Sequence, residues 1–119
     1  MTANSLDLIV LLYDALKKNI ILGKKGIIKD NAFTAHSHLM KAQEILVELV
    51  NSLDMNYEIS ENLLDLYEFF IINIGDANLK KDPQLLEPVI EMVEELRAAW
   101  SEISISNKGS LYAASEGQA

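Results

Sequence analysis

The chain reads as an all-α protein, an antiparallel up-down four-helix bundle followed by a flexible C-terminal tail. Three observations predict this. Leu, Ile, Glu, Lys and Ala dominate while only two prolines and five glycines interrupt 119 residues, a composition that helices tolerate and short-stranded β folds do not. Apolar residues recur at three- and four-residue intervals in four segments. Turn chemistry falls between those segments, and short connections imply antiparallel neighbours. With 50% hydrophobic residues in a chain of ordinary single-domain length, one packed core is expected. We assign the bundle to residues 1–104 and the tail to 105–119.

The first segment covers residues 6–28, with Leu6, Ile9, Tyr13, Leu16, Ile20 and Ile27 on one stripe and Ser5 as its N-cap. Gly23 and Gly26 lie inside it, where each weakens the helix by about 1 kcal/mol relative to Ala. They predict the close approach of a neighbouring helix. A phosphate loop is the poorer reading, because Leu22-Gly-Lys-Lys-Gly lacks the spacing and the terminal Ser or Thr of such loops. After a tight turn at Lys29-Asp30-Asn31, a second seam carries Ala35, Leu39, Ala42, Leu46, Leu49 and Leu53. Residues 54–58 connect to a third helix with Ile59, Leu63, Leu66, Phe70, Ile74 and Ala77, capped by Asn56 or Ser60.

Lys80-Lys81-Asp82-Pro83 marks the next boundary. Lys suits the C-terminal end of one helix, Asp caps the next, and Pro is favoured at its first position. The fourth helix carries Leu86, Val89, Val93, Leu96, Trp100 and Ile103. Pro88 would remove a backbone bond and clash inside it, which predicts a kink or a delayed start. From Ser104 the pattern dissolves into Ser, Asn, Gly, Ala and Gln, the signature of a flexible tail in which Leu111 and Tyr112 are the residues able to dock.

Composition also excludes function classes. The absence of cysteine rules out disulfides, thiolate metal sites and cysteine nucleophiles, and fits a reducing cytoplasm. The longest apolar runs, residues 8–13 and 69–72, fall far short of the roughly 20 that span a bilayer. The first five residues show no secretory pattern. A net charge of −8 with no Lys/Arg cluster argues against nucleic acid and against membrane surfaces. His38 invites comparison with histidine phosphotransfer domains, but Lys41 and Ala42 make a near miss of the local pattern. His36 lies about 200° around the helix from it, so the two cannot share a metal. Neither histidine follows a Glu by three residues, as bridged di-metal bundles require. No catalysis and no cofactor are expected.

A bundle helix needs roughly three apolar positions in seven, and two segments exceed that: residues 6–13 and 63–72 are apolar nearly all round. With the seams assigned, Leu8, Leu11 and Leu12 of the first helix, Met40, Val47 and Val50 of the second, and Leu64, Phe69 and Ile72 of the third are left over. They either widen the core flanks or line an outward groove, and contiguous exposed apolar surface on a charged protein usually marks a partner site. A self-dimerising bundle is the rival use of the same surface, so the expected assembly is a monomer or weak homodimer.

Leu11-Leu-Tyr-Asp14, the 35–49 run, Ser52-Leu-Asp-Met55, Ile59-Ser-Glu-Asn-Leu-Leu-Asp-Leu-Tyr67, Ala77-Asn-Leu-Lys-Lys-Asp82 and Glu95-Leu-Arg-Ala-Ala-Trp100 occur in order. This ordered set resembles the flagellar secretion chaperone FliS family over about residues 5–103. The resemblance implies a cytoplasmic bundle that holds the disordered C-terminal segment of flagellin on its outside, prevents premature polymerisation and delivers it for export, with components of the export apparatus as further partners. It places Tyr13 and Asp14 at the family's Tyr-Asp-Gly, with Ala15 in place of glycine, and adds Tyr13, Asn62 and Tyr67 to the client-binding candidates; each of these three could equally satisfy a buried backbone group. Family members usually carry a longer N-terminal segment over the client groove; about four residues precede the first helix here, so either self-capping is not expected or the sequence is a shortened form.

Overall fold

The four apolar stripes become four helices, α1 (Ser5–Ile28), α2 (Ala32–Asn51), α3 (Ile59–Lys80) and α4 (Glu87–Gln118), with a 3-10 turn at Pro83–Leu86 leading into the last. The computed structural model describes the backbone of residues 5–118 and the side-chain burial of residues 6–103. Capping by the Ser5 side chain and docking by Leu111 or Tyr112 lie outside the described residues.

Contacts between neighbouring helices step in opposite directions along the chain. Asp14, Lys17 and Lys24 of α1 pair with Arg97, Glu94 and Glu87 of α4. Asn19 and Gly26 of α1 meet His38 and Ala35 of α2. His36 and Gln43 of α2 meet Asn78 and Ile71 of α3. Each adjacent pair is therefore antiparallel, and the bundle has the predicted up-down order. Its core is made by Leu16, Ile20, Leu39, Leu46, Phe70, Ile74, Val89 and Val93, all fully buried, each burial being worth roughly 1.5–3 kcal/mol.

The turns follow their local chemistry. Asn31 caps α2 by accepting the Thr34 N–H at 3.1 Å, and Asp30 before it sits at φ 57°, the left-handed region that Asp tolerates better than most residues. Asp82 accepts the Gln84 N–H at 3.0 Å with Pro83 in the first position behind it. Because α4 begins only at Glu87, Pro88 falls in its first turn, where no N–H is needed. The start is delayed and Leu86 is buried within the 3-10 turn.

Three local expectations are corrected. The N-cap of α3 is Glu58, with no side-chain cap. Asn56 instead donates its N–H to Asp54 Oδ1, and the Ser60 hydroxyl donates to the Asp54 carbonyl at 2.6 Å. Both candidate caps are used to fold the loop. Ile59 and Ile103, predicted in core seams, are exposed. The α3 stripe starts at Leu63 and includes Tyr67, while Leu66 is only partly buried against it. The backbone of α4 is helical as far as Gln118.

The glycines of α1 mark the closest approach in the bundle. A Cβ on Gly26 would lie 2.7 Å from Ala35 N and 3.0 Å from its Cα, and one on Gly23 would lie 2.5 Å from Leu39 Cδ2. The obstacle at Gly26 is backbone, which cannot step aside. Gly75 differs, since its added Cβ would meet only the Gln43 amide at 3.1 Å, a side-chain tip able to shift. Gly26→Ala is therefore expected to destabilise by about 1–3 kcal/mol despite Ala's better helix propensity. Gly75→Ala is expected to be neutral or stabilising by up to about 1 kcal/mol. Urea unfolding of both variants, followed by circular dichroism, checks the contrast.

Candidate functional site

Of the twelve candidate residues, two belong to the interior. Tyr13 and Tyr67 are 0% and 2% exposed, and their hydroxyls share a hydrogen bond of 2.5 Å between α1 and α3. Trp100 of α4 also hydrogen-bonds Tyr13. A hydroxyl on an apolar stripe can be buried when it finds a partner, and each tyrosine supplies the other's, which is the structural use open to them beside client contact. Burial pushes both phenols above their ordinary range; at Tyr13 the bonds to Tyr67 and Trp100 oppose the rise, and at Tyr67 the bond to Tyr13 adds to it.

Leu8, Leu11 and Leu12 do come together. With Ile9 they form one wall of a groove of about 520 Å³ whose other wall is Glu48 and Ser52 near the end of α2. The volume is more than three times the ~150 Å³ that accepts a benzene ring, and Leu8 and Leu11 remain 50% and 58% exposed. A second cavity of about 600 Å³ opens beside it at the end of the bundle where α1 and α3 begin and α2 ends. It shares Ile9 and Ser52 with the groove, and Tyr57, Ile59, Leu63, Tyr67 and Trp100 complete much of its lining.

The remaining candidates divide between two faces of α3. Gln43 Nε2 donates to the Ile71 carbonyl at 3.0 Å, and Asn78 and His36 bond at 2.9 Å. This register sets Val50 level with Leu64, both partly buried, as the floor of an outer α2/α3 seam. Met40, Val47 and Ile72 are exposed along its rim. At about 100° per residue, Phe69 and Asn62 point some 170° away from the α2-facing side marked by Ile71 and Asn78, and Ile72 stands about 110° from that side and about 60° from Phe69, between the two faces. Phe69 and Asn62 are both exposed.

Sequence reasoning missed the exposed Phe33, Tyr57 and Leu79. Phe33 and Leu79 carried a legible signal, standing seven residues from Met40 and Ile72. Tyr57 gave none, because its place depends on how the 52–58 loop folds. The histidines have structural partners: His38 Nδ1 meets Asn19 Oδ1 at 3.0 Å, and Asn19 in turn donates to the Ala15 carbonyl. Among the described residues no group of three or more His, Asp or Glu side chains is placed to hold a metal, and no helix is long and apolar enough to cross a membrane. The geometry offers apolar concavities with acidic margins, suited to holding a polypeptide.

The comparisons with known proteins agree on one family. A family model described as "Flagellar protein FliS" matches residues 1–107. The chain is similar to the flagellar secretion chaperone FliS of Vibrio cholerae serotype O1, 36% identical over 88 residues, covering 72% of this chain and 65% of that relative. It therefore spans a little under two thirds of the Vibrio protein's length. It is 32% identical over 101 residues to the Bacillus subtilis protein of the same name, covering 85% of this chain and 76% of the relative. With the Salmonella typhimurium one it shares 29% over 107 residues, covering 87% and 79%.

The tyrosine pair generates a pH prediction. With both folded-state values above the ordinary ~10, rising pH ionises the phenols of the unfolded chain first, and the unfolded state then binds fewer protons than the folded one. The stabilisation is complete below pH ~10 and is lost progressively above it. Urea midpoints measured from neutral to strongly alkaline pH are expected to fall in that upper range, and the fall is expected to shrink in the Tyr13→Phe/Tyr67→Phe double variant.

Proposed function

The chain belongs to the FliS family of flagellar proteins, and on that premise we propose that it is a cytoplasmic export chaperone without catalytic activity. Its client is the disordered C-terminal segment of flagellin, held against the outside of the bundle so that it cannot polymerise before secretion. Components of the export apparatus then take the complex over. The observation that carries the reading is the apolar groove of Leu8, Leu11 and Leu12 against the end of α2, left half-open by a chain whose core is already complete without it. The outer α2/α3 seam with Met40, Val47, Val50, Leu64 and Ile72, and the neighbouring Phe69 and Asn62 face, extend the site.

Magnitudes restrict what such surfaces retain. Each apolar anchor contributes roughly 1.5–3 kcal/mol when buried, while fixing each backbone residue of a disordered partner costs about 1–2 kcal/mol. The client must place an anchor every residue or two, or fold into amphipathic helices as it binds. A segment that builds a filament through apolar helices meets that demand.

Mixing the protein with a flagellin C-terminal peptide is expected to yield a one-to-one complex in sedimentation and a gain of peptide helicity by circular dichroism. Leu8→Asp, Phe69→Asp and Ile72→Asp change exposed side chains, so the bundle should stay folded while each weakens capture by about tenfold or more. Capture undiminished in all three would place the client elsewhere, and a stable dimer indifferent to the peptide would count against the chaperone reading.

A further inference from the structure

The two ends of the bundle carry unequal charge. Where α2 passes into α3, residues 44–68 hold seven Asp or Glu and no Lys, Arg or His. At the opposite end α1 and α3 finish and α2 and α4 begin, and there residues 24–33 and 76–87 hold five lysines against four carboxylates. Two of those carboxylates are engaged, Glu87 by Lys24 and Asp82 by the Gln84 N–H. Lys25, Lys29 and Lys80 are exposed and enter none of the ion pairs of the described residues. One end is therefore strongly acidic and the other mildly basic.

Each end also carries apolar groups outside the core, and their shapes differ. The basic end presents Ile28, Phe33 and Leu79, which are 64%, 81% and 83% exposed. Lys25 stands three residues before Ile28, on the same face of α1, and Lys80 follows Leu79, so these apolar groups project among cations. The acidic end is hollow. The cavity of about 600 Å³ opens there, with Asp54 in its lining and the exposed Tyr57 and Ile59 at its lip; Glu58 and Glu61, also exposed, flank that lip in the sequence. Its volume is about four times the ~150 Å³ that accepts one benzene ring, room for three side chains such as Ile28, Phe33 and Leu79. Past this end α4 runs on, held to α1 by its ion pairs, which leaves the side of the 52–59 loop as the way in.

We propose that the basic end is the knob, and the cavity at the acidic end the socket, of a head-to-tail contact between copies of this chain. Two acidic ends repel each other, and two basic ends repel and offer no socket; only a basic end against an acidic one joins opposite charges and fills the cavity. Because knob and socket lie at opposite ends of one molecule, the contact is heterologous. Each added copy presents a fresh end, so the product is a short open chain and not a symmetric dimer. Three apolar side chains are few beside the roughly 20–30 residues a side of a standard interface, so the association is weak, concentration-dependent and sensitive to salt. The inference stands apart from the chaperone reading: Ile28, Phe33 and Leu79 are not among the client-binding candidates, and no flagellin segment is needed to observe the contact.

Sedimentation equilibrium of the intact chain tests the proposal. At about 50 mM salt the weight-average mass is expected to climb from the 13.3 kDa monomer past twice that value between about 10 μM and about 1 mM protein, and to fall back towards the monomer at about 500 mM salt. Phe33→Asp/Leu79→Asp removes the knob and Tyr57→Lys/Ile59→Lys removes the socket. All four side chains are exposed, so both double variants are expected to keep the circular dichroism of the unaltered chain. Each variant alone is expected to stay monomeric at concentrations that assemble the unaltered chain. Their equimolar mixture is expected to form a complex of twice the monomer mass and nothing larger, because the intact knob of one variant meets the intact socket of the other. An unaltered chain that stays monomeric throughout, or whose mass levels off at a dimer, overturns the proposal. So does either variant assembling by itself, or a mixture that stays monomeric or grows past two copies.

Discussion

The arrangement of this bundle depends on how closely α1 approaches α2 at Gly23 and Gly26. A side chain at Gly26 would collide with the Ala35 backbone itself, so the pair can be this tight only where one helix brings no Cβ. That contact lies at one end of the pair. At the other end Leu8 and Leu12 face Glu48 and Ser52 across an open groove. Between the two ends, the bond of Tyr13 to Tyr67 ties α3 to α1. The weaker propensity of two glycines, about 1 kcal/mol each, is offset by the burial their absence of side chain permits.

Polar interactions sort the faces that packing leaves open. Three ion pairs run down the α1/α4 surface; exposed as they are, each adds little stability, yet together they occupy three carboxylates with three cations on that side. The α2/α3 side is joined by Gln43 to Ile71 and by His36 to Asn78, bonds in which no carboxylate takes part. Residues 32–80 hold eight acidic residues against two lysines, and much of the exposed apolar surface lies on the same hairpin. Charge of one sign keeps such a surface soluble and discourages its pairing with itself.

Much of the fold was legible because helical periodicity is a local property. The stripes of α1, α2 and α4, the Asn31 and Asp82 turns and the glycine contact all follow from spacing and turn chemistry within a few residues. Errors fell where the answer depends on distant partners. Ile59 fits the α3 repeat as well as Leu63 does, but it lies where the bundle has already ended. Leu66 and Tyr67 differ by one position, and Tyr67 is the buried one because Tyr13, 54 residues away, supplies its hydroxyl with a partner. His38 looks free on its own helix and is tied to Asn19 on another.

The amino-acid sequence by itself determined that this protein is a charged, all-helical bundle with more apolar surface than its core can absorb, since composition and periodicity count apolar positions regardless of where they end up. Only the tertiary structure decided which surplus residues act together. Leu8, Leu11 and Leu12 form one wall of a groove, Phe33, Met40 and Val47 are exposed along α2, Ile72 stands on α3 between the α2 side and the face of Phe69 and Asn62, and the two tyrosines bond each other between α1 and α3. The physical reason is that a face is defined by rotation within a helix, whereas a groove is defined by the register and distance between helices, and those are set by a glycine contact and a few interhelical hydrogen bonds.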